Sequence, residues 1–155
     1  MLYLALKALH IVSVVVFLGN IITGFFWKVH ADRLGELHGR VQALDGLIRA
    51  DRVFTSPAVF FILATGISLA LTMGLPIFGT PWILWGLILF GIAGAVFGVF
   101  VGPLQKKLLA NTRAGLSGSW NEAEYHALSK AWGRWGAVAT AAPLGALLLM
   151  VFKPA

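Results

Sequence analysis

The sequence predicts an all-α protein, a four-helix transmembrane bundle, antiparallel, with both termini outside and an amphipathic cytoplasmic helix between helices one and two. Three observations predict it. Of 155 residues, 59% are hydrophobic and 12% charged, with mean hydropathy +0.86; soluble domains are about 45–50% apolar and about 25% charged. Four apolar runs, near 3–27, 54–75, 82–104 and 136–152, approach the roughly 20 residues that cross about 30 Å of hydrocarbon. Basic residues gather in two of the segments between them. The chain 1–155 therefore reads as a single integral membrane domain, with no room for a separate soluble one.

The first run has nothing positive before Lys7 and continues past Phe25 to Trp27-Lys28-Val29-His30. A cleaved signal peptide has a basic start and a short apolar core, so a retained helix is expected instead. Next, Leu34, Leu37, Val41, Leu44 and Ile48 recur at three- and four-residue spacing, with Arg40, Gln42, Asp45 and Arg49 between them. That pattern predicts an amphipathic helix lying on the membrane surface or extending helix one. Pro57 falls in the expected first turn of helix two, where a missing N–H has no helical partner to lose. Pro103 and Pro143 lie deeper in their runs and should kink or end helices three and four. Residues 110–118 read as a loop, and Ser119-Trp-Asn-Glu122 as a capping box that starts a helix near Trp120 and leads into helix four.

Loop charge sets the expected topology. Lys28, Arg33, Arg40, Arg49 and Arg52 follow helix one, and Lys106, Lys107, Arg113, Lys130 and Arg134 follow helix three. The turn from Met73 to Pro81 has no charge. The positive-inside rule then puts both basic segments in the cytoplasm, with Lys7 and Lys153 snorkelling to the outer interface. The net charge of +6 is explained by topology and by anionic lipid headgroups, and nucleic acid is not an expected partner. With no cysteine, disulfides, thiolate metal sites and thiol chemistry are excluded.

Gly91, Gly94, Gly98 and Gly102 mark helix three, the last three at four-residue spacing. Such a stripe serves close helix packing, or else a flat groove for a planar ligand or a dimer partner. His10 is the one histidine inside a span, so it is the candidate cofactor and metal residue, an axial ligand to heme b or a ligand to copper, with a hydrogen bond to a neighbouring helix as its alternative role. Asn20 is the second cofactor-binding candidate, with interhelical hydrogen bonding as its alternative role. Asp51 reads as an N-terminal helix charge and Arg52 as a headgroup contact. His30 and His38 read as solvated loop residues, and the tryptophans as an aromatic belt. Paired intramembrane carboxylates, a serine–histidine–acid set and a phosphate loop are all missing.

Leu6-Lys7-Ala8-Leu9-His10, Leu18-Gly19-Asn20, Trp27-Lys28, Phe54-Thr55-Ser56-Pro57, Gly102-Pro103-Leu104-Gln105, Trp132-Gly133-Arg134-Trp135-Gly136 and Val151-Phe152-Lys153-Pro154 occur in this order. Over nearly its whole length the chain thereby resembles an uncharacterised integral membrane family, domain of unknown function 2269. More distantly, the segment ending in His10 is similar to the first helix of J-type protoporphyrinogen oxidase and of copper resistance D proteins. The oxidase resemblance implies a heme-holding role for His10, although Trp82-Ile83-Leu84 stands where that oxidase has a tryptophan–histidine–lysine pattern. The resemblance implies a small multi-pass protein of the bacterial inner membrane. The function expected is a helix-packing or partner-binding module, with a homo-oligomer as one possible arrangement. The alternatives are a b-type heme redox protein with His10 as axial ligand, and a copper or small-solute transport accessory protein.

Overall fold

The computed structural model describes residues 1–154 and contains four long helices: α1 (Leu2–Leu34), α2 (Leu37–Thr72), α3 (Pro81–Leu116) and α4 (Glu122–Phe152). All four are long and apolar enough to cross a membrane, and there is no strand among the described residues. Ile11, Val15, Phe60, Leu71, Ile92, Val99 and Leu148 are among many large apolar side chains left exposed. In water such a surface would drive aggregation, whereas in a bilayer it faces its own solvent.

Helix boundaries differ from expectation at the basic end. The segment 37–50 is helical, but it is the first half of α2 rather than a surface helix or an extension of α1. Gly35 explains the break: it ends α1 at φ 77°, a left-handed conformation natural to glycine, and its N–H bonds to Ala31. The apolar side of 37–50 turns inward, burying Leu44 and Leu47 against the basic half of α3. Likewise 110–116 belong to α3, so the connection to α4 is only Ser117–Asn121. Asn121, not Ser119, caps α4, accepting the Glu124 N–H at 3.0 Å. At 36 residues each, α2 and α3 rise about 54 Å, well beyond a hydrocarbon layer, and the surplus projects at the basic end.

Prolines do not end these helices. α2 widens into a π-turn at Asp51–Thr55, and α3 does so at Phe97–Val101. Each wide turn closes with an N–H bonding five residues back, Ser56 to Asp51 and Gly102 to Phe97. The next residue is in both cases the proline, Pro57 or Pro103. A helical proline lacks its donor and its ring presses on the carbonyl four residues back. Here those carbonyls, of Val53 and Val99, lie inside the wide turns, so the helix accommodates the ring without stopping. Pro57 is thus mid-helix, correcting its assignment to a helix start, and α4 continues through a buried Pro143.

The four helices are not evenly packed. In the apolar half, α1 packs on α2 and α3 on α4, and Phe17 meets Phe90 across the divide at 5.5 Å. At the basic end α2, α3 and α4 share a core of Leu44, Leu47, Val101, Leu108, Tyr125 and Trp132, and α1 joins it through Phe25, stacked on Trp132, and Lys28, bonded to Ser129. Two helix pairs are therefore tied together at one end and parted above it.

Candidate functional site

The parting leaves a cavity of about 280 Å³ between the pairs. Its walls are apolar and aromatic, with Phe17, Phe25, Phe90, Phe97 and Trp132 all contributing. Four polar residues form one end: Asn20 from α1, Asp51 and Thr55 from the π-turn of α2, and Gln105 from α3. Asp51 is their centre. One carboxylate oxygen accepts from Asn20 Nδ2 at 3.2 Å and from Thr55 Oγ1 at 3.0 Å, and the other accepts from Gln105 Nε2 at 3.1 Å. Asn20 Nδ2 also donates to Thr55 Oγ1 at 2.8 Å. Among the described residues, no lysine, arginine or histidine forms an ion pair with Asp51. Asn20 lies 18 residues from Leu2, about 27 Å along the helix, which puts this polar end at the basic-side edge of the hydrocarbon.

Asp51 was not legible as a site residue. It occupies a wide turn in mid-helix, so the sequence reading of it as an N-terminal helix charge is corrected. The glycines also differ from the plain packing expectation. A Cβ added at Gly91, Gly94 or Gly98 would meet no other atom within 4 Å, and Gly91 and Gly94 line the cavity. Close approaches occur elsewhere: an added Cβ at Gly86 would come within 2.5 Å of Met150 Cε, and one at Gly24 within 3.0 Å of Leu47.

A second constellation lies on the basic side of the cavity. Lys28 is only 2% exposed; it pairs with Asp32 at 2.6 Å and donates to Ser129 Oγ. Arg40, 8% exposed, donates to the Asp32 carbonyl at 3.2 Å and lies over the Tyr125 ring at 4.9 Å. Tyr125 donates its hydroxyl to Asp32 Oδ1. Burial, together with the neighbouring Asp32 carboxylate, pushes that phenol up from its ordinary value, keeping it a donor. Trp132 joins the two constellations. Lys28 Nζ sits 5.1 Å from its ring on one side, and Phe25 stacks on it at 5.7 Å. Trp132 is 5% exposed, which corrects its assignment to an interfacial belt, and its indole N–H is buried with no hydrogen-bond partner among the described residues. Counting Lys28 as a loop charge likewise missed its burial. The signal available was its spacing, since Lys28 and Asp32 stand at i, i+4 on a helix.

His10 sits apart from both. Its Nδ1 lies 3.0 Å from Thr65 Oγ1, and its ring rests against Gly66. Thr65 in turn donates to the Phe61 carbonyl. His10 does not line the cavity, whereas Asn20 does, so the two candidate cofactor residues are not brought together. Among the described residues no group of three histidine, aspartate or glutamate side chains is placed to hold a metal ion. His30 is exposed and stacks on Phe26, and His38 is exposed. A shallow cleft at the basic end is lined by Arg49, Arg52, Lys106 and Arg113, with Asp45 paired to Arg49 and Arg113.

No curated protein and no solved structure matches the chain. One family model does, that of the predicted integral membrane proteins DUF2269, and it covers residues 4–154. Four apolar helices and a match over nearly the full length agree: the chain belongs to the DUF2269 family of predicted integral membrane proteins.

Proposed function

We propose that the protein is a membrane-embedded binding module whose partner is a small, largely apolar molecule held between the two helix pairs. The observation that carries this is the cavity itself, an apolar chamber closed at one end by hydrogen-bonding groups. Small-molecule sites have this form, mostly apolar with a few convergent polar groups. A glycine face with nothing packed on it supports the same reading, because a seam between helices would fill that space. The test uses 4-bromobenzyl alcohol, whose bromine quenches tryptophan on contact, with the protein in phosphatidylcholine vesicles. Saturable quenching that disappears in Trp132→Phe and in Gly94→Leu is expected. Quenching that rises linearly with probe in all three proteins is partition into lipid and would end the proposal.

The bundle is antiparallel in this reading, since α1–α2 contacts pair His10 with Thr65 and Asn20 with Thr55. Both termini lie outside a bacterial inner membrane, and the cleft of Arg49, Arg52, Lys106 and Arg113 meets anionic headgroups of the cytoplasmic leaflet. The chain lacks cysteine, so single cysteines at Phe78 and Gly118 report orientation. An impermeant maleimide should label the first in intact cells and the second only after permeabilisation; the reverse pattern would invert the topology.

A second reading, heme on His10, is favoured by the Thr65 contact. A ligating histidine commonly has its other ring nitrogen fixed by such a hydrogen bond. His10 would hold the iron outside the cavity, since it is not among the residues that line it. Protein from heme-supplied cells would then show a Soret band, lost in His10→Ala and kept in Asp51→Asn. A featureless spectrum removes this reading and leaves the cavity proposal intact.

A further inference from the structure

We propose that the cavity selects an organic ammonium ion, a protonated amine on a compact apolar or aromatic body, with Asp51 as its counter-charge. This inference rests on the cavity reading and adds the chemical class of the ligand. Three observations converge on it.

The first is the hydrogen-bond arithmetic at Asp51. An ionised carboxylate offers about four acceptor directions. Asn20, Thr55 and Gln105 fill three of them, each as a neutral donor. Three donors aimed at two oxygens suit the ionised form, and one direction is left for a further donor. Asp51 is itself part of the cavity lining, so a bound molecule can supply that donor.

The second is charge. The other aspartates are paired: Asp32 with Lys28 and Arg40, and Asp45 with Arg49 and Arg113. Asp51 has hydrogen bonds but no cation among the described residues, although Arg52 follows it directly and is exposed. A carboxylate at the edge of hydrocarbon whose hydrogen-bond partners are all neutral attracts a positive charge more strongly than one in water does. Anionic ligands are disfavoured for the same reason.

The third is the wall. Phe17, Phe25, Phe90, Phe97 and Trp132 surround the space with aromatic rings. Aromatic faces attract cations and accept apolar bodies, so they suit an ammonium ion and its substituent together. The volume, about 280 Å³, suits a ligand of one or two rings rather than a lipid.

The test compares two probes of nearly equal size, 4-bromobenzylamine, protonated at pH 7, and 4-bromobenzyl alcohol, which is neutral. Both are titrated in zwitterionic phosphatidylcholine vesicles, using wild type, Asp51→Asn and Gly94→Leu, and the signal read is the part of the quenching that Trp132→Phe removes, since the chain has six tryptophans. The expected result is saturable quenching by both probes, at least tenfold tighter for the amine. Asp51→Asn, which keeps the shape and removes the charge, should weaken the amine at least tenfold more than the alcohol and so bring that ratio to about one. Gly94→Leu should abolish both. Equal affinity of the two probes in wild type overturns the ammonium proposal while the cavity reading stands. Failure of both probes to saturate overturns the two together. The wild-type ratio decides the matter even if Asp51→Asn does not fold.

Discussion

Gln105 and Asp51, 54 positions apart, meet at 3.1 Å across the bundle, and this hydrogen bond joins α3 to the wide turn of α2. Gln105 is 4% exposed. A hydrogen bond to a charged partner contributes about 1.5–3 kcal/mol, so Gln105→Leu should destabilise the protein by about 2 kcal/mol. Unfolding in detergent with increasing dodecyl sulfate measures it. An unchanged midpoint would mean that the contact does not tie the helix pairs together.

Pro103 should control that contact from two residues away. If the proline holds the π-turn of α3 open, Pro103→Ala lets the turn tighten by one residue and rotates the C-terminal part of α3 by about 100°. Gln105 would then swing off Asp51. A double-mutant cycle of Pro103→Ala with Gln105→Leu should show coupling of about 1 kcal/mol. Additive effects would show that the turn keeps its width without the proline.

The glycines of α3 should divide into two kinds. Gly94→Ala and Gly98→Ala add a methyl group to open space and should be neutral or stabilising by up to about 1 kcal/mol, from helix propensity alone. Gly86→Ala must displace the Met150 methyl and should rank about 1 kcal/mol below them. Equal loss at Gly86, Gly94 and Gly98 would indicate a continuous packing seam and count against the cavity.

Asp32 neutralises two buried cations. Asp32→Asn leaves Lys28 and Arg40 facing each other without a carboxylate and should cost about 3 kcal/mol. Lys28→Met removes one of those cations and should cost less. The double variant, Lys28→Met with Asp32→Asn, should recover part of the loss. Chemical denaturation of the three variants gives the ranking, and a larger loss in Lys28→Met than in Asp32→Asn would reverse the assignment.

Four spans and a basic end were legible because burial in hydrocarbon leaves long apolar runs and displaces charge, and both are one-dimensional signals. Helix ends were less so. Local patterns at Leu37–Ile48 and at 110–116 gave no sign that these residues belong to α2 and α3, since the partner that buries Leu44 and Leu47 is some 60 residues away. Asn20 was legible as an interhelical bonding residue because an amide in a span needs partners. Its partner Asp51 was not, because it lies beside Arg52 at the end of a basic segment and looks like one more interfacial charge. It sits in a π-turn just ahead of Pro57, and a widened turn shifts helical register in a way that no sequence period reveals. A glycine stripe, finally, has the same spacing whether helices close on it or leave it open; only the divergence of the helix pairs above Trp132 separates the two cases.

The ligand chamber proposed beside Gly94 should persist in a lipid bilayer. An experimental density map of the protein in a lipid disc, prepared with 4-bromobenzylamine, tests it most directly because bromine is easily located. Bromine density is expected between the helix pairs, with the ammonium within hydrogen-bond distance of Asp51 and the ring beside Trp132. A map in which α3 closes on α1, with the Gly94 face in backbone contact and no room for the probe, would contradict it.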